Sequence, residues 1–218
     1  MKIIDRVLQR WRNAKARPYV APGARVLDIG CADGALFRQF HSLIGEGVGI
    51  DPTLDHAVDG ENYRLIPGWF PDDVTDERRF DVITMLAVLE HVPAAYQPRW
   101  AEACARLLAD GGHLVITVPS PSADGILRAL QSLRLIDGMS LEQHYGFDPR
   151  TAPSIFGVDG LALVKFERFQ LGFNNLLVFE KTARRAGCDT GSRLERAHRE
   201  GARADMAGAA SATTREER

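Results

Sequence analysis

The chain has 218 residues, 45% of them hydrophobic and 26% charged. That composition buries a sizeable core and excludes a chain that is disordered throughout. Formal net charge is -2, with 19 Lys and Arg against 23 Asp and Glu over residues 1–182 and 8 against 6 over residues 183–218, so the body is mildly acidic and argues against a nucleic-acid-binding face.

Cys31, Cys104 and Cys188 match no zinc spacing and form no disulfide framework. They read as reduced thiols of a cytoplasmic protein. No apolar run approaches the roughly 18 residues of a membrane span. The segment Met1–Arg6 is too polar for a signal peptide. The expectation is a soluble protein that acts away from membranes.

Residues 3–16 carry Ile3, Ile4, Val7, Leu8 and Trp11 at helical spacing. They predict a helix packed on the domain edge, or capping a pocket, and Pro18 and Pro22-Gly23 end it. Ala24–Ile29 is a short apolar run stopped by glycine, which predicts a buried parallel strand. A helix over 34–43 follows, with strands at Gly47–Asp51, Tyr63–Ile66 and Phe80–Met85. Ala94–Leu108 predicts a helix closed by Gly111-Gly112, and His113–Val118 a fifth strand ended by Pro119. Beyond it come a helix over 124–136, a His144-Tyr145-Gly146-Phe147 loop and a short helix near 150–157. Leu161–Leu171 and Asn174–Lys181 predict a hairpin around Gly172-Phe173.

Alternating strands and helices imply an α/β fold: a Rossmann-like, seven-stranded, mostly parallel sheet with helices on both faces and a C-terminal antiparallel hairpin. The expected organisation is an N-terminal helix (1–20), a main domain (21–182) and a disordered tail (183–218) too poor in large apolar residues to offset its ordering entropy.

The chemistry concentrates after the first strand. A strand ending at Ile29, a Gly30-x-Ala32-x-Gly34 turn and a helix together make a nucleotide-type binding arrangement, because small residues let the backbone approach a ligand. A dinucleotide site wants G-x-G-x-x-G under a pyrophosphate. Here the small residues alternate, and Asp28 and Asp33 would repel a pyrophosphate. Acidic neighbours suit S-adenosylmethionine (SAM), which carries a sulfonium and an ammonium and no phosphate. Asp51 ends the second strand, where a carboxylate can accept from both ribose hydroxyls.

Four segments in order carry a resemblance: VLDIGCADGALF (26–37), GIDP (49–52), FDVITMLAVLEHVP (80–93) and LLADGGHLVITVP (107–119). Together they resemble the successive motifs of class I SAM-dependent methyltransferases of the small-molecule type. The resemblance implies that Asp28, Gly30, Cys31, Ala32 and Gly34 surround the methionine part of SAM. It places Asp51 on the ribose, Pro52 and Thr53 near the adenine, and Met85 and Leu86 beside the sulfonium. Two departures stand out. Ala32 replaces the middle glycine, and Gly68-Trp69-Phe70-Pro71 stands where the family often shows Gly-Asp. Trp69 and Phe70, or Asp72, are then the candidates for the adenine contact.

Methyl transfer is largely a matter of positioning. An oxygen acceptor also needs its proton removed, for which histidine is the usual base near neutral pH. His91, just past the fourth strand, and His144 are the candidates; each also has a structural reading as a loop brace. Glu90 meets the SAM side or caps the following helix, and Tyr145 orients a substrate or packs. The His and carboxylate residues are too scattered for a metal site. The expected activity is SAM-dependent methylation of a small molecule at oxygen, nitrogen or carbon. The competing readings are a SAM-binding protein without turnover and a methyltransferase acting on protein or RNA.

Overall fold

A computed structural model describes residues 3–120 and 147–182, with side chains from residue 6 onward. The chain enters through α1 (Ile3–Ala16) and a 3-10 turn at Arg17–Tyr19. It then runs through β1 (Ala24–Ile29), α2 (Ala35–Phe40), β2 (Ile44–Asp51), β3 (Val58–Asp59), β4 (Tyr63–Pro67) and β5 (Phe80–Leu86). A 3-10 turn at Leu89–His91 leads to α3 (Gln97–Leu107) and β6 (Leu108–Pro119). After the segment outside the described residues come α4 (Ala152–Phe156), β7 (Leu161–Phe169), a 3-10 turn at Gln170–Gly172 and β8 (Asn174–Lys181).

Among the described residues these strands form one eight-stranded sheet in the order β3-β4-β2-β1-β5-β6-β8-β7. β4, β2, β1, β5 and β6 are parallel, and β8 and β7 close the sheet antiparallel. The expected seven strands are present, and the two-residue β3 adds an antiparallel edge on β4.

Period-2 alternation sends successive residues to opposite faces. Leu27, Ile83, Ile116 and Phe179 face a core completed by Ala101 and Cys104 of α3 and Phe156 of α4. Val26, Val82, Val115 and Val178 face a second core completed by Ala16 of α1 and Phe37 and Phe40 of α2. Strands buried on both faces explain why β1, β5 and β6 read as nearly continuous apolar runs.

Three local expectations change. Val7 and Trp11 of α1 are 56% and 47% exposed while Leu8 is half-buried, so Val7 and Trp11 lie off the packed face. The helix docks through Ala16 and through polar contacts instead. Asn13 donates to Gln39 at 3.2 Å, Gln170 donates to the Leu8 carbonyl at 3.3 Å, and Lys15 pairs with Glu167. α3 begins at Gln97 rather than Ala94, because residues 93–96 form a turn and Pro98 occupies the first helical turn, where no N–H is needed. Gly111-Gly112 does not close that helix: it lies in an irregular start of β6, where Gly111 takes φ 76° between the Phe80–Leu108 and Val82–His113 pairs.

Candidate active site

The carboxyl ends of the parallel strands share one rim, the edge at which open α/β sheets bind ligands. At the end of β1, Gly30, Ala32 and Gly34 all have positive φ, at 74°, 46° and 73°. The alternating small residues of the sequence are thus three left-handed positions in one turn. Ala32 holds the middle one without being glycine, at a cost of about 1–2 kcal/mol. Gly30 is fixed by close approach as well. A Cβ there would lie 2.4 Å from Cγ2 of Val88, in the loop after β5.

Asp51 is buried, and its carboxylate stabilises that turn. One oxygen accepts from the Ala32 N–H at 2.8 Å, and the other accepts from the Thr53 N–H at 2.8 Å and the Thr53 hydroxyl at 2.6 Å. The oxygen facing Ala32 retains a lone pair for a further donor. Asp33, by contrast, is exposed. It accepts from the Ala35 N–H at 3.2 Å and pairs with Arg38.

Two more carboxylates are buried at this rim. Asp28 pairs in register with Thr84 of β5, whose hydroxyl donates to it at 2.6 Å. Burial pushes its pKa from 3.8 to about 7, against the lowering effect of the Thr84 hydrogen bond, and the Asp51 charge adds to the rise. Glu90, in the turn after β5, rises from 4.5 to about 7 for the same first reason, burial, with its own backbone N–H and Arg12 of α1 opposing. Its Oε2 is buried without a hydrogen-bond partner. α3 has no side-chain cap, so Glu90 does not serve as one. Cys31 is buried in the turn, and burial first, then Asp28 and Asp51, raise its pKa and hold it as a thiol.

The remaining candidates separate. Pro52 and Thr53 are exposed beside Asp51. Trp69 is 68% exposed, whereas Phe70 is buried and packs edge-on against Trp100 at 5.1 Å. Asp72 pairs with Arg99, and Asp73 closes the loop by accepting from the Trp69 N–H at 2.7 Å. Of the pair 69–70, only Trp69 therefore offers a free face. Met85 is fully buried in the α3–α4 core, and Leu86 is half-buried on the opposite face. His91 is half-buried, and its backbone N–H closes the 3-10 turn on Val88. His144 and Tyr145 lie outside the described residues. A cleft of about 340 Å³ lined by Pro71, Asp72, Arg99, Glu102 and Arg106 takes in Asp72 but none of the other candidate residues.

The donor set fits a cationic ligand. Asp28, Asp51 and Glu90 are all buried acids, and Glu90 contributes an unsatisfied oxygen. A phosphate would meet like charge there.

A family model described as a methyltransferase domain matches residues 2–162. The chain belongs to this methyltransferase family. Among relatives, the ubiquinone biosynthesis O-methyltransferase of Alkalilimnicola ehrlichii is 36% identical over 119 residues, 50% of this chain and 47% of that protein. The protein of the same name from Rhodopseudomonas palustris (strain BisB5) is 25% identical over 177 residues, 76% of this chain and 68% of that one. The chain spans about half the length of the first relatives it matches. Magnesium protoporphyrin IX methyltransferase from Synechocystis PCC 6803, solved with bound SAH, shares the fold with a TM-score of 0.56 at 16% identity, covering 81% of this chain and 83% of that one. In this methyltransferase domain, sequence reasoning missed Val88. Its only signal was its place in the Phe80–Pro93 motif; the facing Gly30 is distant in sequence.

Proposed function

We propose that this methyltransferase domain binds SAM at the 30–34 turn and transfers its methyl group to a small-molecule acceptor, with a hydroxyl as the acceptor group. The observation that carries the reading is the Asp51–Ala32 clamp on a turn of three left-handed residues, set among buried acids that oppose phosphate. When bound, SAM supplies an electrophilic methyl on a good leaving group. The chain supplies position and charge. Asp51 offers its open lone pair to the ribose, and Gly30, Cys31, Ala32 and Gly34 line the methionine part. Asp28, buried in β1 just before the turn, is on this reading the acid that meets the amino group. Trp69 offers an exposed ring to the adenine, with Pro52 and Thr53 at its edge; Leu86, at the end of β5, flanks the sulfonium.

The names of the relatives favour oxygen over nitrogen or carbon as acceptor. A hydroxyl must lose its proton during transfer, and His91, half-buried at the same rim, is the base on this reading, with His144 as the second candidate. Residues 21–182 carry the activity, and reduced Cys31 and Cys104 suit a cytoplasmic setting. Among the described residues no helix is long and apolar enough to cross a membrane.

Calorimetry with SAM and SAH tests the cofactor, and methyl transfer to a panel of phenols and aliphatic alcohols tests the reaction. The expected result is binding of both ligands and transfer to at least one phenol. Absence of binding by either ligand defeats the cofactor assignment. Binding without transfer to any nucleophile leaves a SAM-binding protein that is not an enzyme.

A further inference from the structure

The hairpin that joins β7 to β8 turns at the same rim as the SAM turn. Asn174 opens β8 opposite Pro119, the last residue of β6, and the Ser120 N–H donates to the Phe173 carbonyl at 2.8 Å. At its tip three consecutive residues are left-handed: Gln170 at φ 51°, Leu171 at 56° and Gly172 at 87°. Glycine takes such angles freely; glutamine and leucine do not.

The two strained residues differ in what they receive in return. Gln170 is buried, donates to the Leu8 carbonyl of α1 at 3.3 Å and accepts from Asn174. Its strain is held by a local polar network, to which the Ser120 hydroxyl adds a bond to the Gly172 carbonyl at 2.7 Å and Asn175 a bond to Ser120 at 3.0 Å. Leu171 is 93% exposed. It carries the same strain and, among the described residues, gains almost no burial in return. Glycine or asparagine would suit the backbone better and present less apolar surface to water. A single exposed leucine is ordinary on a protein surface. An exposed leucine locked in a left-handed conformation by a buried network, on the ligand-binding rim, is costly without a contact to offset it.

We infer that Leu171, with the half-buried Phe173 beside it, is a specificity-determining contact for an apolar substituent on the methyl acceptor. The inference rests on the proposed methyl-transfer reading for its location. The occupant follows from the size and place of the feature. One side chain on a narrow tip is too small for a protein interface, and the tip stands on the carboxyl rim beside the end of β6, on the rim to which the proposed reading assigns the acceptor.

The test is the binding of 4-alkylphenols, from phenol to 4-hexylphenol, to the full chain in the presence of SAH, compared between wild type and Leu171→Asn. Asparagine nearly matches leucine in shape and tolerates the left-handed region, so the substitution removes apolarity and leaves the turn. In wild type, affinity should rise with chain length by up to about fourfold per methylene. In the variant the slope should flatten, and 4-hexylphenol should bind about tenfold more weakly. SAH affinity should be unchanged, and the urea midpoint unchanged or higher. Equal slopes in the two proteins, or no gain with chain length in wild type, overturn the inference. The reading it rests on fails separately: a Leu171-dependent slope without SAH binding sustains the contact and defeats the cofactor assignment.

Discussion

Replacing Gly30 by alanine separates two costs that most glycine substitutions confuse. Gly30 sits at φ 74°, and its Cβ would approach Val88 Cγ2 to 2.4 Å and Cγ1 to 3.3 Å. Gly23 has nearly the same φ, 79°, and nothing within 4 Å of its would-be Cβ. Gly23→Ala therefore costs only the left-handed penalty, about 1–2 kcal/mol. Gly30→Ala adds an overpacking term of about 1–3 kcal/mol. Valine is stiff at χ1 and has no flexible end to swing aside. The expected totals are about 1–2 kcal/mol for Gly23→Ala and about 2–5 kcal/mol for Gly30→Ala.

Urea unfolding of the two variants, of Val88→Ala and of the double variant Gly30→Ala/Val88→Ala closes the cycle. The double variant should be more stable than the sum of its singles by about 1–3 kcal/mol, since the truncated side chain leaves room for the new methyl. SAM affinity should fall for Gly30→Ala and hold for Gly23→Ala, which lies away from the rim. Equal costs at the two glycines, with no coupling to Val88, would refute the claim that the β5 loop closes on the turn.

Asp51→Ala leaves the Ala32 and Thr53 donors without their acceptor; it should lose about 1–3 kcal/mol of stability in urea melts and weaken SAM binding by more than it weakens the fold. Asp28 and Glu90 both ionise near 7 in the folded chain, above their unfolded values of 3.8 and 4.5. The folded state thus holds protons that the unfolded chain has released, so the ligand-free protein should lose stability as pH rises from about 4 to about 7, by an upper limit of about 3–4 kcal/mol per group. Thermal melts should show that slope, and Asp28→Asn should flatten it; stability rising over the same interval would contradict the burial of these acids. A cationic ligand favours the ionised acids, so SAM binding should release protons near pH 6.5, seen as a dependence of calorimetric heat on buffer ionisation enthalpy. His91→Ala should leave SAM affinity intact and cut turnover at least a hundredfold if the imidazole removes the acceptor proton.

Legibility followed sequence distance. β1, its turn and α2 form one continuous stretch in which an apolar run, glycine spacing and helical periodicity agree, so Ala24–Ile29 and the 30–34 turn could be read residue by residue. The alternation at 30, 32 and 34 even carried the backbone state: each small residue is left-handed. What could not be read was which distant residues meet that stretch. Val88 covers Gly30 from 58 positions away, and no local pattern marks it. Phe70 and Trp69 are adjacent and both aromatic, yet one is core and one is surface: Phe70 packs on Trp100 of α3, and Trp69 faces solvent. α1 misled for a related reason. Val7 and Trp11 share a stripe, but Gln170, Gln39 and Glu167 supply polar docking points elsewhere on the helix, and these two apolar side chains stay exposed. Glu90 shows the same limit in its sharpest form. Sequence placed it correctly at the end of β5, but a carboxylate becomes a near-neutral titrating group only through what buries it. That burial is a tertiary fact, and it gives the rim two acids whose charge a bound cation can set.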